Sequence, residues 1–282
     1  DSTMVIDDTD GPTLPLERPQ TVALIGTYPP RKCGIATFTQ DLRNAIAGEI
    51  GSEQTRVVAI DDPGSDYEYD NAVEFRLRQH DQSSYRLTAD LLNANHIDMA
   101  VLQHEYGIFG GNDGAYVLDL LSRLRMPIIS TLHTILTQPS NSQREILSEI
   151  AHQSSRVVVM TARAKKILEE TDAVPSEKIA CVPHGIHDLP FVDPHFYSDQ
   201  FDMQGKRVML TFGLLGPGKG IEVVIRALPK IIEQHPDVIY LVLGATHPHI
   251  VKHEGERYRD YLRTLAADLG VGDHVKFTIT SF

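Results

Sequence analysis

Two glycine-bearing turns, each set between a β-branched apolar run and a helical run, are placed to bind an anion. The first is Tyr28-Pro-Pro-Arg-Lys-Cys-Gly34-Ile-Ala-Thr-Phe38, which follows the apolar run 21–26. In an open α/β sheet, ligands gather outside the carboxyl ends of the strands. A glycine at the start of the next helix lets backbone amides approach an anionic group there. Gly34 is the candidate for that approach; an ordinary turn with two prolines is the competing reading. The second turn, Gly213-Leu-Leu-Gly-Pro-Gly218-Lys219-Gly220, nearly satisfies the phosphate-loop pattern G-x-x-x-x-G-K-[ST]. It fails at the last position, because Gly220 has no hydroxyl for magnesium, and Pro217 removes a backbone donor. A nucleoside triphosphatase is therefore disfavoured. A lysine and several amides at a helix start remain, which suits a diphosphate without a metal.

Further polar residues recur at strand ends. Gln103-His-Glu-Tyr-Gly-Ile-Phe-Gly-Gly111 puts His104, Glu105 and Tyr106 just past an apolar run, and its glycines predict a flexible loop able to close over a ligand. His133, in Ser130-Thr-Leu-His-Thr134, also follows a strand end. There it donates a hydrogen bond to a bound hydroxyl, works as a base, or is simply structural. Pro183-His-Gly-Ile-His-Asp188 places His184 and Gly185 in a tight turn. Gly34, Glu105, His133 and His184 thus come from four strand ends, and their convergence on one edge is more specific than any one of them. No metal site is expected: His249 and His253 are one helical turn apart with His247 nearby, but no cysteine or third helical ligand joins them. Cys33 reads as a small, partly buried residue, since no partner base is evident. No activated serine or carboxylate dyad is present either.

Positioning these residues requires a regular alternation of elements, and the sequence has one. Strands are expected at 21–26, 55–60, 98–103, 127–132 and 156–160, and helices at about 37–49, 83–95, 114–125, 140–153 and 161–170. That order predicts a parallel sheet with helices on both faces. After Phe191-Val-Asp-Pro-His-Phe-Tyr197 the pattern restarts, with strands 207–212, 238–243 and 274–279 and helices 221–234 and about 249–268. The expected organisation is a flexible acidic arm over 1–19, a first doubly wound domain over 20–190, a linker over 191–205 and a second domain over 206–282. Three strands are few for a doubly wound sheet, so the second domain reads as partial.

Composition sets the outer limits. The chain has 282 residues, a formal charge of -12 and 41% hydrophobic residues, so it is globular, and its charge argues against a nucleic-acid or anionic-membrane partner, with Arg31-Lys32 and Arg163 to Lys166 as the local basic runs. Two cysteines argue against a disulfide-stapled secreted scaffold. No apolar run reaches the ~18 residues of a membrane span and no signal core begins the chain, which predicts a soluble, cytoplasmic protein.

The motifs PPRKCGIATF, QHEYGIFGG, TLHT, VPHGI and FGLLGPGKGIE, in this order from about residue 21 onward, resemble the retaining glycosyltransferases of family 4, near their mannosyltransferase-like branch. The resemblance implies the GT-B fold, with two Rossmann-like domains facing across a cleft. It further implies an acceptor domain first, a nucleotide-sugar domain second, and transfer of a hexose to a hydroxyl acceptor with retention. Carried over by position, Gly34, Gly213, Gly218 and Lys219 serve the donor diphosphate, and His133 touches the donor sugar near the reacting carbon. Glu105 joins His133 at the catalytic centre, and Lys32, Tyr106 and His184 line the acceptor side. The resemblance implies no cofactor and no required metal, only a nucleoside diphosphate sugar as substrate and a carbohydrate or glycan as acceptor. The sequence departs from the family at Leu214, where an arginine is usual. The glutamate pair that grips the donor sugar is expected beyond Phe282. The alternative expectation is a truncated GT-B module that binds saccharide or a partner without turnover, and the apolar face of an unfinished sheet predicts self-association.

Overall fold

The computed structural model describes residues 19–279 except 172, 194, 195, 197, 200 and 247. The expected arm over 1–19 therefore lies almost wholly outside the described residues, as does His247. The chain divides into two compact units, residues 1–186 and 187–282.

The first unit is built on seven strands: β1 (Val22–Gly26), β2 (Thr55–Asp61), β3 (Val73–Arg78), β4 (Met99–His104), β5 (Ile128–Leu132), β6 (Arg156–Val159) and β7 (Ile179–Cys181). Their order is β3-β2-β1-β4-β5-β6-β7, and every pairing is parallel. Five helices connect them: α1 (Gly34–Ile50), α2 (Gln82–Ala94), α3 (Val117–Leu121), α4 (Asn141–Gln153) and α5 (Ala162–Glu170). Strand β1 shows why both faces must be covered. Ala23 and Ile25 pack into one core with Tyr85, Leu120 and Ile150, while Val22 and Leu24 pack with Leu42 and Ile46 of α1 on the other face. The chain order reverses direction between β1 and β4, which opens a crevice at their carboxyl ends.

The second unit has β8 (Arg207–Phe212), β9 (Val238–Leu243) and β10 (Val275–Thr278) in the order β10-β9-β8, again all parallel. Its helices that lie wholly within the described residues are α6 (Ile221–Gln234), α7 (Pro248–Glu254) and α8 (Arg257–Asp268). Ile221, Ile225 and Leu228 of α6 bury against Tyr240, Val242 and Leu262, while Val208 and Leu210 of β8 stay exposed. Each unit is α/β, a parallel sheet packed with helices.

Several expectations need correction. Strand β3 was not anticipated, although Val73, Phe75 and Leu77 alternate with Glu74, Arg76 and Arg78; strand β7 has only three residues. The helix expected over 114–125 is the five-residue α3, preceded by single 3-10 turns at Tyr106–Ile108 and Asn112–Gly114. The helix expected over 249–268 is broken at Gly255, whose φ of +63° is left-handed.

The loop after β4 is pinned rather than poised to close. Tyr85, buried in α2, donates its hydroxyl to the Gln79 carbonyl (2.8 Å) and accepts from the Gly110 amide (2.8 Å). Gln79 in turn donates to the Gly107 carbonyl at 3.0 Å. A side chain at Gly110 would collide with the Gln79 carbonyl, so this glycine serves close packing. Tyr85→Phe leaves two buried backbone groups short of a partner. It should lower stability by about 1–3 kcal/mol, read as a lower urea midpoint with the slope unchanged.

Candidate functional site

In the first unit the site grows from the ends of β1, β4 and β5. Helix α1 begins at Gly34, with Cys33 as its N-cap: the thiol accepts from the Ala36 amide at 3.4 Å and lies 3.1 Å from the Thr27 hydroxyl. Thiols are weak acceptors, so this cap leaves the start of the helix with unsatisfied donors. A Cβ on Gly34 would meet no protein atom within 4 Å. Nothing inside the protein demands a glycine there, and the space beside it is open.

The ends of β4 and β5 are laced together. The His133 amide donates to the His104 carbonyl at 3.0 Å. His133 Nε2 lies 2.9 Å from Gln103 Oε1, so in this orientation of the amide it is the protonated nitrogen, and Nδ1 is left as an acceptor. The Thr134 hydroxyl donates to Glu105 Oε2. Phe38 of α1 packs edge-on against His133 (4.8 Å between ring centres) and His184 (5.2 Å), joining α1 to the segment after β7. His184 is exposed, with Nδ1 2.6 Å from the Gly185 carbonyl.

His133, Glu105, His184 and the start of α1 at Gly34 are thus linked in one edge cluster. Tyr106 turns away: it is buried against His104, and its hydroxyl donates to the Gln143 carbonyl at 3.3 Å. Lys32 is exposed and points to no partner among the described residues. Sequence reasoning missed Gln103 and Thr134, the two side chains that fix His133 and Glu105. Their only signal was adjacency to the chosen residues at the ends of β4 and β5.

Burial holds the imidazoles neutral. It pushes His133 down to about 4, with His184 adding a like-charge effect. Burial also pushes His104 down to about 4, with His133 a secondary cause. Neither ring nitrogen of His104 has a hydrogen-bond partner; the ring stacks on Phe109 at 5.9 Å.

In the second unit the Gly213–Gly220 turn follows β8. Gly213 adopts φ +115° and its amide donates to the Leu243 carbonyl at 3.0 Å. Gly244, at φ +149°, lies so close to the Gly213 carbonyl that any side chain there would collide with it. Pro217, Gly218 and Lys219 form one 3-10 turn, and Gly220 caps α6 with left-handed φ 63° and ψ 27°. The phosphate-loop hydroxyl is therefore absent for a backbone reason, since serine or threonine would be strained at that φ. No side chain caps α6. The Lys219 ammonium lies 3.9 Å from where a Cβ on Gly213 would be, so it folds back over the turn. On the inner side, buried Arg259 of α8 donates to the Gly244 carbonyl at 2.7 Å and to Glu256 at 3.2 Å. Among the described residues, no group of three or more His, Cys, Asp or Glu is placed to hold a metal ion. No described helix is long and apolar enough to cross a membrane.

A family model described as Glycosyltransferase Family 4 matches residues 34–188, and one described as Glycosyl transferases group 1 matches 197–281. Among curated proteins, the chain is 34% identical over 82 residues to a putative glycosyltransferase YtcC of Bacillus subtilis, covering 29% of this chain and 19% of that one. It is 30% identical over 108 residues to a GDP-mannose-dependent alpha-(1-6)-phosphatidylinositol monomannoside mannosyltransferase of Mycolicibacterium smegmatis, covering 37% and 26% respectively. The matched segments thus span about a fifth to a quarter of these relatives' own length. Among solved structures, Anabaena Alr3699/HepE in complex with UDP superposes with TM-score 0.66 at 14% identity, over 93% of this chain and 70% of that one. A UDP-GlcNAc 2-epimerase from Neisseria meningitidis shares the fold at TM-score 0.52 and 12% identity, over 93% and 72%.

The two imidazoles, His104 buried and His133 half-buried, give the first unit a signed pH response. Each is protonated near 6.5 when unfolded and near 4 when folded, so the unfolded chain binds more protons between those values. Their contribution to stability is complete above about pH 6.5 and is lost as pH falls toward 4. Urea midpoints should fall from pH 7 to pH 5, and His104→Leu should flatten that slope.

Proposed function

Since this chain belongs to glycosyltransferase family 4, we propose that it moves a hexose, with mannose as the candidate, from a nucleoside diphosphate sugar to a hydroxyl acceptor with retention of configuration. The observation that carries the reading is the turn after β8, with the Lys219 ammonium folded over Gly213 beside the uncapped start of α6. A helix start with free amides and a lysine is matched to a diphosphate, whose negative charge grows as the sugar departs. Gly213 and Gly218 keep that turn free of side chains, and Leu214 leaves Lys219 as its only cationic side chain. The mannose assignment is supported by relatives such as the GDP-mannose-dependent enzyme of Mycolicibacterium smegmatis. A uridine nucleotide is supported by the Anabaena protein's complexes with UDP and UDP-glucose.

In the reaction proposed, the bond from the anomeric carbon to the phosphate oxygen breaks and a new one forms, on the same face, to the acceptor hydroxyl. The hydroxyl proton passes to the departing phosphate oxygen, so no protein nucleophile is required. His133 is held neutral and presents Nδ1 to a sugar hydroxyl; a group titrating near 4 is suited to accepting a hydrogen bond more than to removing a proton. Glu105, fixed by Thr134, orders the same edge. Gly34 brings the amides of α1 toward donor and acceptor, and Lys32 and His184, both exposed, belong to the acceptor side, whereas buried Tyr106 supports that edge from the core. With Lys219 and helix amides carrying the leaving charge, the reaction needs no divalent metal. The exposed Val208 and Leu210 of β8 favour self-association of the isolated chain.

Calorimetric titration with GDP-mannose, UDP-glucose, GDP and UDP, with and without magnesium, tests the reading. Metal-independent binding of one nucleotide is expected. Lys219→Ala should weaken it about ten- to a hundredfold, the worth of one charge-assisted hydrogen bond. Absence of binding by all four would leave a module that binds saccharide or a partner without turnover. In a transfer assay His133→Ala should lower kcat with little change in nucleotide affinity.

A further inference from the structure

A cavity of about 860 Å³ opens beyond the carboxyl ends of β2 and β3, lined by the turn 61–66 and by residues 76–87 around the start of α2. None of its lining residues belongs to the site assigned above. Its charges are arranged unevenly. Asp61, on its floor, accepts from the Tyr69 hydroxyl at 2.6 Å and from Arg76 Nε at 2.7 Å. Arg78 lies 3.9 Å from Asp81, whose carboxylate also accepts from the Ser83 amide and hydroxyl at the start of α2. Four carboxylates, of Asp61, Asp62, Asp66 and Asp81, thus line the cavity against two guanidinium groups and His80, and among the described residues the guanidinium of exposed Arg78 makes only the long 3.9 Å contact. Asp62 keeps one buried oxygen with no hydrogen-bond partner, 3.8 Å from Arg31 Nε, while its carboxylate also accepts a hydrogen bond from the Tyr67 side chain, and among the described residues exposed Asp66 has no ion pair within 4 Å.

A cavity that binds phosphate needs an excess of cationic donors, and in this one carboxylates outnumber guanidinium groups two to one. What it offers instead is carboxylate oxygens and serine hydroxyls for hydroxyl or ammonium donors, with Leu87 and Pro63 as an apolar rest for a sugar ring. Arg31 also donates to the Ile60 carbonyl at 3.2 Å, which ties the turn ahead of α1 to the strand end beneath the cavity. From β2 to β5, which carries His133, the sheet crosses three strand spacings, roughly 14 Å. A ligand reaching from the cavity to His133 is longer than a single sugar ring.

We propose that this cavity holds the non-reacting end of the acceptor, an uncharged or amino-bearing oligosaccharide, and that it excludes acceptors phosphorylated at that end. The proposal rests on the reading of the first unit as the acceptor side of a glycosyltransferase, and it adds the acceptor's charge class and minimum length.

The test is titration of the isotopically labelled chain, followed by NMR at the amides of residues 62–66 and 79–84. The probes are mannobiose, the glucosamine disaccharide, and mannobiose phosphorylated at one primary hydroxyl. The first two should move those amides, and the phosphorylated sugar should bind at least about tenfold more weakly. Asp66→Lys should reverse the order of the charged pair, raising affinity for the phosphorylated sugar and lowering it for the glucosamine disaccharide. Arg78→Glu should move both the opposite way, so the charge argument does not rest on one variant. The proposal is overturned if the phosphorylated sugar binds the unmodified chain as tightly as mannobiose, if no probe moves those amides, or if the order is indifferent to both variants. Nucleotide titration of the same samples separates the two readings: nucleotide binding without disaccharide binding sinks the acceptor cavity alone, and the reverse sinks the donor site alone.

Discussion

Parallel pairing is the constraint on which everything else depends. Every strand of both sheets runs the same way as its neighbours, so each connection must cross back over a face, and within each sheet the carboxyl ends emerge on one edge of that sheet. That geometry explains why residues as far apart in sequence as Gly34, Gln103, His133 and His184 serve one cluster. It also explains where the polar residues lie. The strands are buried on both faces, so polar groups are tolerated chiefly at their ends, where the sheet gives way to loops.

The two units treat charge differently. In the first, the edge cluster carries no cation: it has imidazoles pushed below their ordinary range, an amide, and one carboxylate answered by a threonine. Such a surface suits hydroxyl-rich ligands, because it offers directed hydrogen bonds without a strong field. In the second unit the glycine turn offers a lysine and the positive end of α6, which suits an anion. Arg259 does not add to that surface; its guanidinium is spent inside, on the Gly244 carbonyl and Glu256.

Most of this architecture was legible in the sequence because long apolar runs alternate with amphipathic ones, and all but two strands were found. Strand β3 escaped because half its residues are charged and it lies at the sheet edge, so its period of two was easy to read as loop; β7 is too short to show a period. The strand-end residues were legible for the same reason as the strands, since Glu105 and His133 follow directly on apolar runs. What could not be read was direction. Tyr106 sits one residue from Glu105, yet it turns into the core toward Gln143, and no spacing rule distinguishes the two in a 3-10 turn. Likewise the glycines after β4 suggested mobility, whereas Gly110 is there because the Gln79 carbonyl occupies the space a side chain would need.

The contact between Gly244 and the Gly213 carbonyl has an evolutionary consequence. The turn after β8 and the turn after β9 touch backbone to backbone, with no side chain between them to absorb a change. A methyl group added at Gly244, or an insertion that lifts Gly213, moves the other turn as well. A change in one of these segments therefore calls for a compensating change in the other. Change in this half of the molecule is easiest on the exposed surface of α6, at positions such as Val223, where a substitution disturbs only itself.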